Sequence, residues 1–380
     1  MKRIAVSILI FLFVFQFCKK ESEIEYFKTE MIDGVKVIHN FNIEPEKAYK
    51  DMEFIEDLSI GVIEGHENYM FNYPADVESD REGNIYVLDY MDCVIKKYDP
   101  DGKFIKKFGG KGQGPGEFQA ASCMFISRQN ELYVKDAGSN KIEQFSQDGE
   151  YLKTFSFDMS NYFKLDGNNE FIFDFYTFDE DGIRYLCVGG IESKKENPKP
   201  FLSERQYWPA RWSDNEFTYD YPYFLRWDIN SNDQVYAASA VNYEISVFDS
   251  DGILLFKFKR DFNSVPVEGE EFKKISEIQD KVSMDRGPNP LSTKLVYPAF
   301  KLIAIDEEDR VWVEHYQPVW INKANEETIY DVFSSEGIFQ FATKIPGHIY
   351  PQLTFKNGYI YALKKDESGY SRAVRIKIVE

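Results

Sequence analysis

Most of the chain alternates between short apolar or aromatic runs and tight turns rich in glycine, aspartate and asparagine. One such series occupies residues 83–105, and the same series returns at 130–152. Related copies follow at 233–254, 309–339 and 357–378, with a degenerate copy near 168–173. Short runs of alternating polarity are typical of half-buried β-strands, and Gly or Asx residues favour the turns that join them. The pattern therefore predicts a repeated β-meander.

Each copy predicts four antiparallel strands, and one such meander cannot bury both of its faces alone. The copies must therefore pack on one another, which predicts a six-bladed β-propeller over residues 35–380. The last copy lacks a fourth strand, and either residues 53–60 or residues 35–38 are predicted to supply it and close the ring. The predicted fold class is all-β, with four-stranded antiparallel blades and one short inserted helix.

One segment carries a family resemblance. Residues 107–118 read Lys-Phe-Gly-Gly-Lys-Gly-Gln-Gly-Pro-Gly-Glu-Phe, and a Tyr-Val-Leu-Asp strand at 86–89 precedes them. This sequence resembles the NHL-repeat signature and is most similar to six-bladed propellers of bacterial secreted and lipid-anchored proteins. The resemblance implies the propeller fold, but it implies little about activity because most members have no recorded one.

The N-terminal sequence predicts the localisation of the protein. Lys2 and Arg3 precede an apolar stretch at residues 4–17, and Cys18 stands at the change to polar sequence. The stretch is shorter than the ~20 residues that span a bilayer and is typical of a secretory signal peptide. Cys18 resembles the lipid-attachment cysteine of bacterial lipoproteins.

We therefore predict a lipoprotein-type signal peptide at residues 1–17 and a tether at 18–34. The mature chain would be exported and held in the bacterial cell envelope, on the periplasmic or outer-membrane side, by its lipid anchor only. A plain signal peptide and an uncleaved anchor are the alternatives.

The net charge argues against one class of partner, and the cysteine content predicts how the thiols are used. The net charge is −19 and the pI about 4.8, which argues against nucleic acid as a partner because phosphate contacts need local cations. Besides Cys18, the chain has Cys93, Cys123 and Cys187. An odd number cannot form a complete disulfide framework, so buried thiols are expected, with a Cys93–Cys123 bridge as the alternative.

The loops predict two unlike faces. We number the strands of a blade from the axis outward. Second-to-third loops and blade-to-blade connections then lie on one face, here called the long-loop face, and the remaining turns lie on the opposite, short-turn face. We predict that all excess length, including inserts near 190–224 and 259–299, lies on the long-loop face. Long loops in compact domains are usually functional.

The first insert is unusually aromatic and supplies our ligand-binding candidates. Exposed Trp and Tyr rings stack on sugars or peptides, and Arg pairs with carboxylates. The candidates are Arg205, Trp208, Arg211, Trp212, Tyr219, Tyr221 and Tyr223. The alternative is that these rings only anchor a long loop to the blades and bind no ligand. The second insert predicts the helix, because residues 272–282 form one apolar stripe after an acidic start.

A metal centre is the competing hypothesis. Asp89, Asp136 and His315 occupy matching repeat positions at the ends of second strands, where they could face one another around a Ca²⁺ ion. The alternative is that the aspartates accept backbone N–H bonds in the adjoining turns. No zinc-helix spacing, nucleophile elbow or phosphate-loop motif is present in the sequence.

The sequence thus predicts a cell-envelope lipoprotein whose propeller binds a protein, peptide or glycan on the long-loop face. We predict no catalytic residues and no cofactor. The alternative is a Ca²⁺-assisted lyase or hydrolase with an axial site.

Overall fold

The computed structural model describes residues 26–41, 48–156, 162–178, 184–190, 199–205, 225–240, 242–263, 266–270, 273, 297–316, 327–347, 349–366 and 368–379. The described chain begins with β1 (Phe27–Ile32), β2 (Val35–Asn40) and β3 (Glu53–Ile60), followed by a 3-10 turn at Glu67–Tyr69. The remaining strands, β4 to β26, form six antiparallel sheets that correspond to the predicted blades.

Blade one contains β4 (Pro74–Ser79), β5 (Ile85–Asp89), β6 (Val94–Tyr98) and β7 (Phe104–Gly109). Blade two contains β8 (Ala121–Ile126), β9 (Leu132–Asp136), β10 (Lys141–Phe145) and β11 (Tyr151–Ser156). Blade three contains β12 (Phe163–Leu165), β13 (Phe171–Phe178), β14 (Arg184–Gly190) and β15 (Lys199–Arg205).

Blade four contains β16 (Leu225–Ile229), β17 (Val235–Ser239), β18 (Glu244–Phe248) and β19 (Leu254–Arg260). Blade five contains β20 (Phe300–Ile305), β21 (Val311–His315), β22 (Glu327–Phe333) and β23 (Phe339–Pro346). Blade six contains β24 (Ile349–Lys356), β25 (Tyr359–Lys365) and β26 (Ser371–Val379), with β3 as its fourth strand.

The core is divided among the interfaces between blades. The described residues form six apolar clusters, and each cluster joins residues of two neighbouring blades. One of them joins blade six to blade one, where Tyr361 and Leu363 contact Val77 and Val87. Six interfaces among six blades form a closed ring, which confirms the predicted fold class.

Two N-terminal segments occupy different blades. β3 pairs antiparallel with β26, from Ile60 opposite Ala373 to Glu53 opposite Val379, so residues 53–60 close the ring as the first alternative predicted. The other alternative, residues 35–38, is wrong for closure. β2 instead pairs parallel with β19 of blade four, and β1 folds back on β2. The predicted tether therefore includes a strand at 27–32.

Asn40 anchors the β1–β2 hairpin to the ring through hydrogen bonds. Its side chain is fully buried, and its Nδ2 group donates to the carbonyl oxygens of Lys259 at 3.2 Å and Gly337 at 2.9 Å. Its Oδ1 atom accepts the backbone N–H of Phe339 at 2.8 Å. One amide thus links β2, the end of blade four and a turn of blade five.

The predicted Asx turns recur on the short-turn face. Asp80 Oδ1 accepts the backbone N–H groups of Glu82 and Asn84, and Asp166, Asn230 and Asp306 make the same pair of bonds two and four residues onward. The residue three positions after each cap has a positive φ, and it is Gly in blade one but Asn or Asp in the other three. The repeat is thus defined by turn chemistry rather than by fixed glycines.

The glycine-rich connection passes close to blade two, as its composition predicts. Gly116 has φ +75°, and a Cβ there would lie 3.3 Å from the ring of Phe145. Phe118 is fully buried at the end of the connection. The Glu117 carboxylate accepts the N–H groups of Gln113 at 3.1 Å and Gly114 at 2.9 Å. The backbone of the loop is therefore held by a carboxylate from within the same loop.

Three further predictions concern the cysteines, the first insert and the inserted helix. Cys93, Cys123 and Cys187 are thiols, so the Cys93–Cys123 bridge is wrong. The insert at 190–224 is not a single loop, because β15 lies inside it. Residues 191–198 join the third and fourth strands of blade three, so excess length is not confined to the long-loop face. The predicted helix falls almost wholly outside the described residues.

Candidate functional site

The first strands of the blades bring charged side chains together at the axis. Asp76 and Glu78 lie on β4, Lys164 on β12 and Asp228 on β16. All three carboxyl groups are buried, and Lys164 pairs with Asp228. Burial raises the pKa of Asp76 and of Glu78, and the nearby charge of Lys164 partly opposes that rise in each. We call these four residues the axial cluster.

Two members of the axial cluster join neighbouring blades. Asp76 accepts the N–H of Val77 at 2.9 Å with one oxygen, and the N–H of Met124 in blade two at 2.9 Å with the other. Asp228 repeats this arrangement three blades away, because it accepts the N–H groups of Ile229 at 2.7 Å and Ile305 in blade five at 2.9 Å. These carboxylates therefore stabilise the ring at its centre.

Glu78 differs from both aspartates. Only 6% of the residue is exposed, and no hydrogen bond to its carboxyl group is found among the described residues. Burial and the nearby charge of Asp76 raise its pKa well above the usual value, although Lys164 and Lys356 partly oppose that shift. Burial also raises the pKa of Asp76 to about 7. Burial therefore favours the protonated form of these two carboxyl groups more than that of solvent-exposed ones.

Asp89 and Asp136, which only the competing hypothesis treats as metal ligands, accept backbone N–H bonds. Asp89 accepts the N–H groups of Asn72 at 2.7 Å and Tyr73 at 3.1 Å. Asp136 accepts those of Gln119 at 3.0 Å and Ala120 at 2.7 Å in the equivalent connection. Burial alone would raise the pKa of Asp136, but these bonds outweigh it and hold the pKa below its usual value. Both carboxylates fix the chain that enters a blade.

His315 belongs to a different part of the ring. Its Nε2 atom lies 3.0 Å from Asp331 Oδ2, and Asp331 also contacts Arg260 and accepts the hydroxyl of Tyr243 at 2.7 Å. This group lies between blades four and five. Within the described part of the chain, no three His, Cys, Asp or Glu side chains are arranged to hold a metal. Asp89, Asp136 and His315 are therefore not brought together.

The predicted ligand-binding residues fall mostly outside the described residues. Arg205 ends β15, the outermost strand of blade three. Trp208, Arg211, Trp212, Tyr219, Tyr221 and Tyr223 lie outside the described residues. The structure describes the strands on either side of their segment, which are β15 at the outer edge of blade three and β16, the first strand of blade four.

A second aromatic group lies on the same face, over blade one. Tyr73 precedes β4 and contacts Tyr90 in the loop after β5, with ring centroids 6.0 Å apart. Met70 and Met91 adjoin them, and all four side chains are exposed. We call Met70, Tyr73, Tyr90 and Met91 the Met–Tyr patch. Exposed Tyr and Met together are more typical of binding surfaces than of plain solvent-facing loops.

A surface pocket of about 380 Å³ adjoins the Met–Tyr patch. It is lined by Glu67, Met70, Asn72, Asp92, Val94, Lys96 and Lys107. Lys96 Nζ donates to the carbonyl oxygens of Glu67 and Met70 and lies 5.3 Å from the centre of the Phe71 ring. Burial lowers the pKa of this lysine. The pocket is therefore mostly polar, with charged side chains of both signs beside Met70 and Val94.

Our sequence reasoning missed both the axial cluster and the Met–Tyr patch. Asp76 and Glu78 stand two residues apart on a first strand, so they share one side of it. The equivalent residues of blade two are Cys123 and Phe125. Two acidic residues in one copy, where another copy has uncharged ones, are the sequence signal that could have identified the axial cluster. Tyr73, Tyr90 and Met91 flank the strands of the best-preserved repeat, but nothing in the sequence alone shows that they are exposed.

Comparisons with known proteins support this architecture. The model of a family described as a 6-bladed beta-propeller, DUF5128, matches residues 28–198. A protein of Bacteroides fragilis described as exported has 12% identity and a TM-score of 0.51, covering 90% of this chain and 100% of its own. A duf4221 family member from Bacteroides vulgatus has 12% identity and a TM-score of 0.50, covering 86% and 98%. Identities this low show the fold alone.

No curated protein matches the chain. Across the described residues, we also find no helix with the length and apolar character needed to cross a membrane.

Proposed function

We propose that the chain is an exported, lipid-anchored protein of the bacterial cell envelope whose propeller is a binding module. In this proposal Cys18 carries the lipid, and the long-loop face binds a protein, peptide or glycan. The axial cluster stabilises the ring and takes no part in a reaction. The observation that carries the proposal is the Met–Tyr patch, which exposes apolar and aromatic side chains beside a polar pocket.

The patch and the aromatic insert support the same face independently. The insert at 206–224 joins the outermost strand of blade three to the first strand of blade four, which is a connection of the kind predicted for the long-loop face, and the Met–Tyr patch lies on that face at blade one. A partner that spans the disc would therefore meet aromatic side chains from two opposite blades. Tyr and Trp are the residues that most often dominate binding energy at interfaces.

A matched pair of double variants tests the choice of face. Tyr73 and Tyr90 are 61% and 38% exposed, and Ile253 and Leu255, at the short-turn end of blade four, are 58% and 39% exposed. The full-length chain would be cross-linked in native envelopes as wild type, Tyr73→Ser with Tyr90→Ser, and Ile253→Ser with Leu255→Ser. We expect adducts to be lost only in the tyrosine variant. Equal adducts in all three, or loss in the Ile253 variant, would contradict the proposal.

Two further variants separate the parts of the proposal. Residues 207–222 would be replaced by a Gly-Ser linker, which leaves β15 intact. We expect this variant to remain folded and to lose binding to a glycan array or to the cross-linked partner. Cys18→Ser tests the anchor, because mass spectrometry of the wild-type N-terminus should show a lipid that the variant lacks. An unmodified wild-type N-terminus would refute the anchor without affecting the choice of face.

A further inference from the structure

β1 forms the outer edge of the six-stranded sheet of blade four. The described residues place no strand beyond it, and the sheet order ends β19, β2, β1. β1 and β2 form a two-residue hairpin, in which Asp33 and Gly34 have φ of 50° and 81° and Ile32 pairs with Val35. Such a turn fixes the register of the hairpin. An edge strand of this kind offers a row of backbone groups to another strand.

The register determines which backbone groups point outward. The carbonyl of Tyr26 accepts the N–H of Phe41 at 3.0 Å. Because bonded and non-bonded pairs alternate in antiparallel sheets, Lys28, Glu30 and Ile32 also exchange their bonds with β2. The N–H and C=O groups of the intervening residues, Phe27, Thr29 and Met31, therefore point away from the sheet.

The side chains of β1 are complementary to a reversed copy of themselves. If two β1 strands run antiparallel with Thr29 at the centre, Lys28 stands opposite the partner's Glu30. Phe27 then stands opposite the partner's Met31, a side chain that is 67% exposed here. Lys28 and Glu30 already contact each other at 2.8 Å within one chain, so the four charges would alternate in sign. Opposite charges and apolar pairs directly across strands are stabilising.

Two other outer strands, β7 and β3, lack this complementarity. β7 carries Lys106 and Lys107 with no acid, and β3 carries Glu53, Glu56 and Asp57 with no base. A reversed copy of either strand would place like charges close together, which disfavours pairing between edges. The edge of β23 is partly covered by the bridge between Tyr49 and Ala342.

We propose that the protein forms a two-fold symmetric dimer by antiparallel pairing of β1 strands, with Thr29 opposite the partner's Thr29. The pairing satisfies the outward backbone groups of all three residues in both copies and joins the two fourth blades into one sheet. Because the strands run in opposite directions, the two long-loop faces point in opposite directions. Both candidate binding surfaces therefore stay accessible, and the dimer does not depend on the function proposed above.

Cysteine cross-linking tests the pairing and its register. Hydrogen-bonded antiparallel pairs have Cα atoms ~5.5 Å apart, which suits a disulfide. The full-length Thr29→Cys chain should therefore form a covalent dimer under mild oxidation. Met31→Cys, on the same exposed strand, should not, because it faces the partner's Phe27. A dimer through Met31→Cys alone, or an adduct of Thr29→Cys with a different protein, would overturn the proposal.

Charge reversal gives a second readout that a merely unfolded variant cannot imitate. Lys28→Glu or Glu30→Lys alone places like charges opposite each other twice in the dimer. We expect roughly tenfold or greater weakening of dimerisation in light scattering. The double reversal restores opposite charges and should restore the dimer. A wild type that stays monomeric at every concentration, or a double reversal as weak as the single ones, would overturn the proposal.

Discussion

Replacing Glu78 by Gln should change how stability depends on pH. The native state keeps a proton on this buried carboxyl group at a pH where the unfolded chain releases it, because burial raises its folded pKa. A carboxyl group with a raised folded pKa stabilises the fold below its unfolded pKa, and that contribution is lost as the pH rises. Wild-type stability should therefore fall as the pH rises through the neutral range. Gln has the same shape but cannot lose a proton.

The size of the effect follows from linkage. Each proton held by the native state alone changes the free energy of unfolding by about 1.4 kcal/mol per pH unit. The axial cluster contains two such groups, because burial also raises the pKa of Asp76 to about 7. The substitution removes one of these two groups, so the difference in slope between wild type and Glu78→Gln should approach one proton.

Urea unfolding followed by tryptophan fluorescence would measure this slope between pH 5 and 8. Trp312 is fully buried, so its emission should report global unfolding. Subtracting the variant's curve from the wild-type curve cancels the contributions of all other titratable groups. Asp136→Asn serves as a control, because its pKa is lowered and its contribution is lost only in acid. Parallel wild-type and Glu78→Gln curves, or wild-type stability that rises with pH, would refute the reasoning.

Two other substitutions should have large and specific costs. Asn40→Ala removes three hydrogen bonds in a fully buried site, and we expect a loss of about 3 kcal/mol in urea unfolding; a loss below ~1 kcal/mol would contradict the role of the hairpin. Asp228→Ala breaks the link to blade five and leaves Lys164 without its partner, at a cost of about 3–5 kcal/mol. Lys344→Ala removes only an exposed ion pair and should leave the free energy of unfolding nearly unchanged, so a loss equal to that of the other two substitutions would contradict the account.

Local turn chemistry made the ring predictable from sequence. Each Asx cap and each positive-φ residue lies within a few positions of its partner, so their spacing is visible in one copy and repeated in the others. The closing strand was predicted as one of two alternatives for a related reason. Residues 35–38 and 53–60 both have the sequence pattern of an outer strand. Only the hydrogen bonds of Asn40 and the pairing of β2 with the edge of blade four show that residues 35–38 do not close the ring.

The candidate site was harder to predict because it depends on distant parts of the chain. Asp228 meets Lys164 and Ile305 only when three blades converge, and no local spacing encodes that. Asp89 and Asp136 looked like possible ligands because they recur, but recurrence reflected the same backbone hydrogen bonds in two blades. Tyr73 and Tyr90 contact each other at the ends of two neighbouring strands of blade one, and the sequence alone does not show that their rings are exposed.

The closed ring is the claim on which the assignment of faces depends, and a disulfide across its closure tests it directly. Ile55 on β3 stands opposite Lys377 on β26. Ile55→Cys with Lys377→Cys should form a bond on oxidation and stabilise the fold by up to about 5–6 kcal/mol, because it would close a loop of nearly the whole chain. Glu53→Cys with Lys377→Cys is offset by two residues and should not bridge. Failure of the first pair to bridge, or equal bridging by both, would contradict a ring closed by β3.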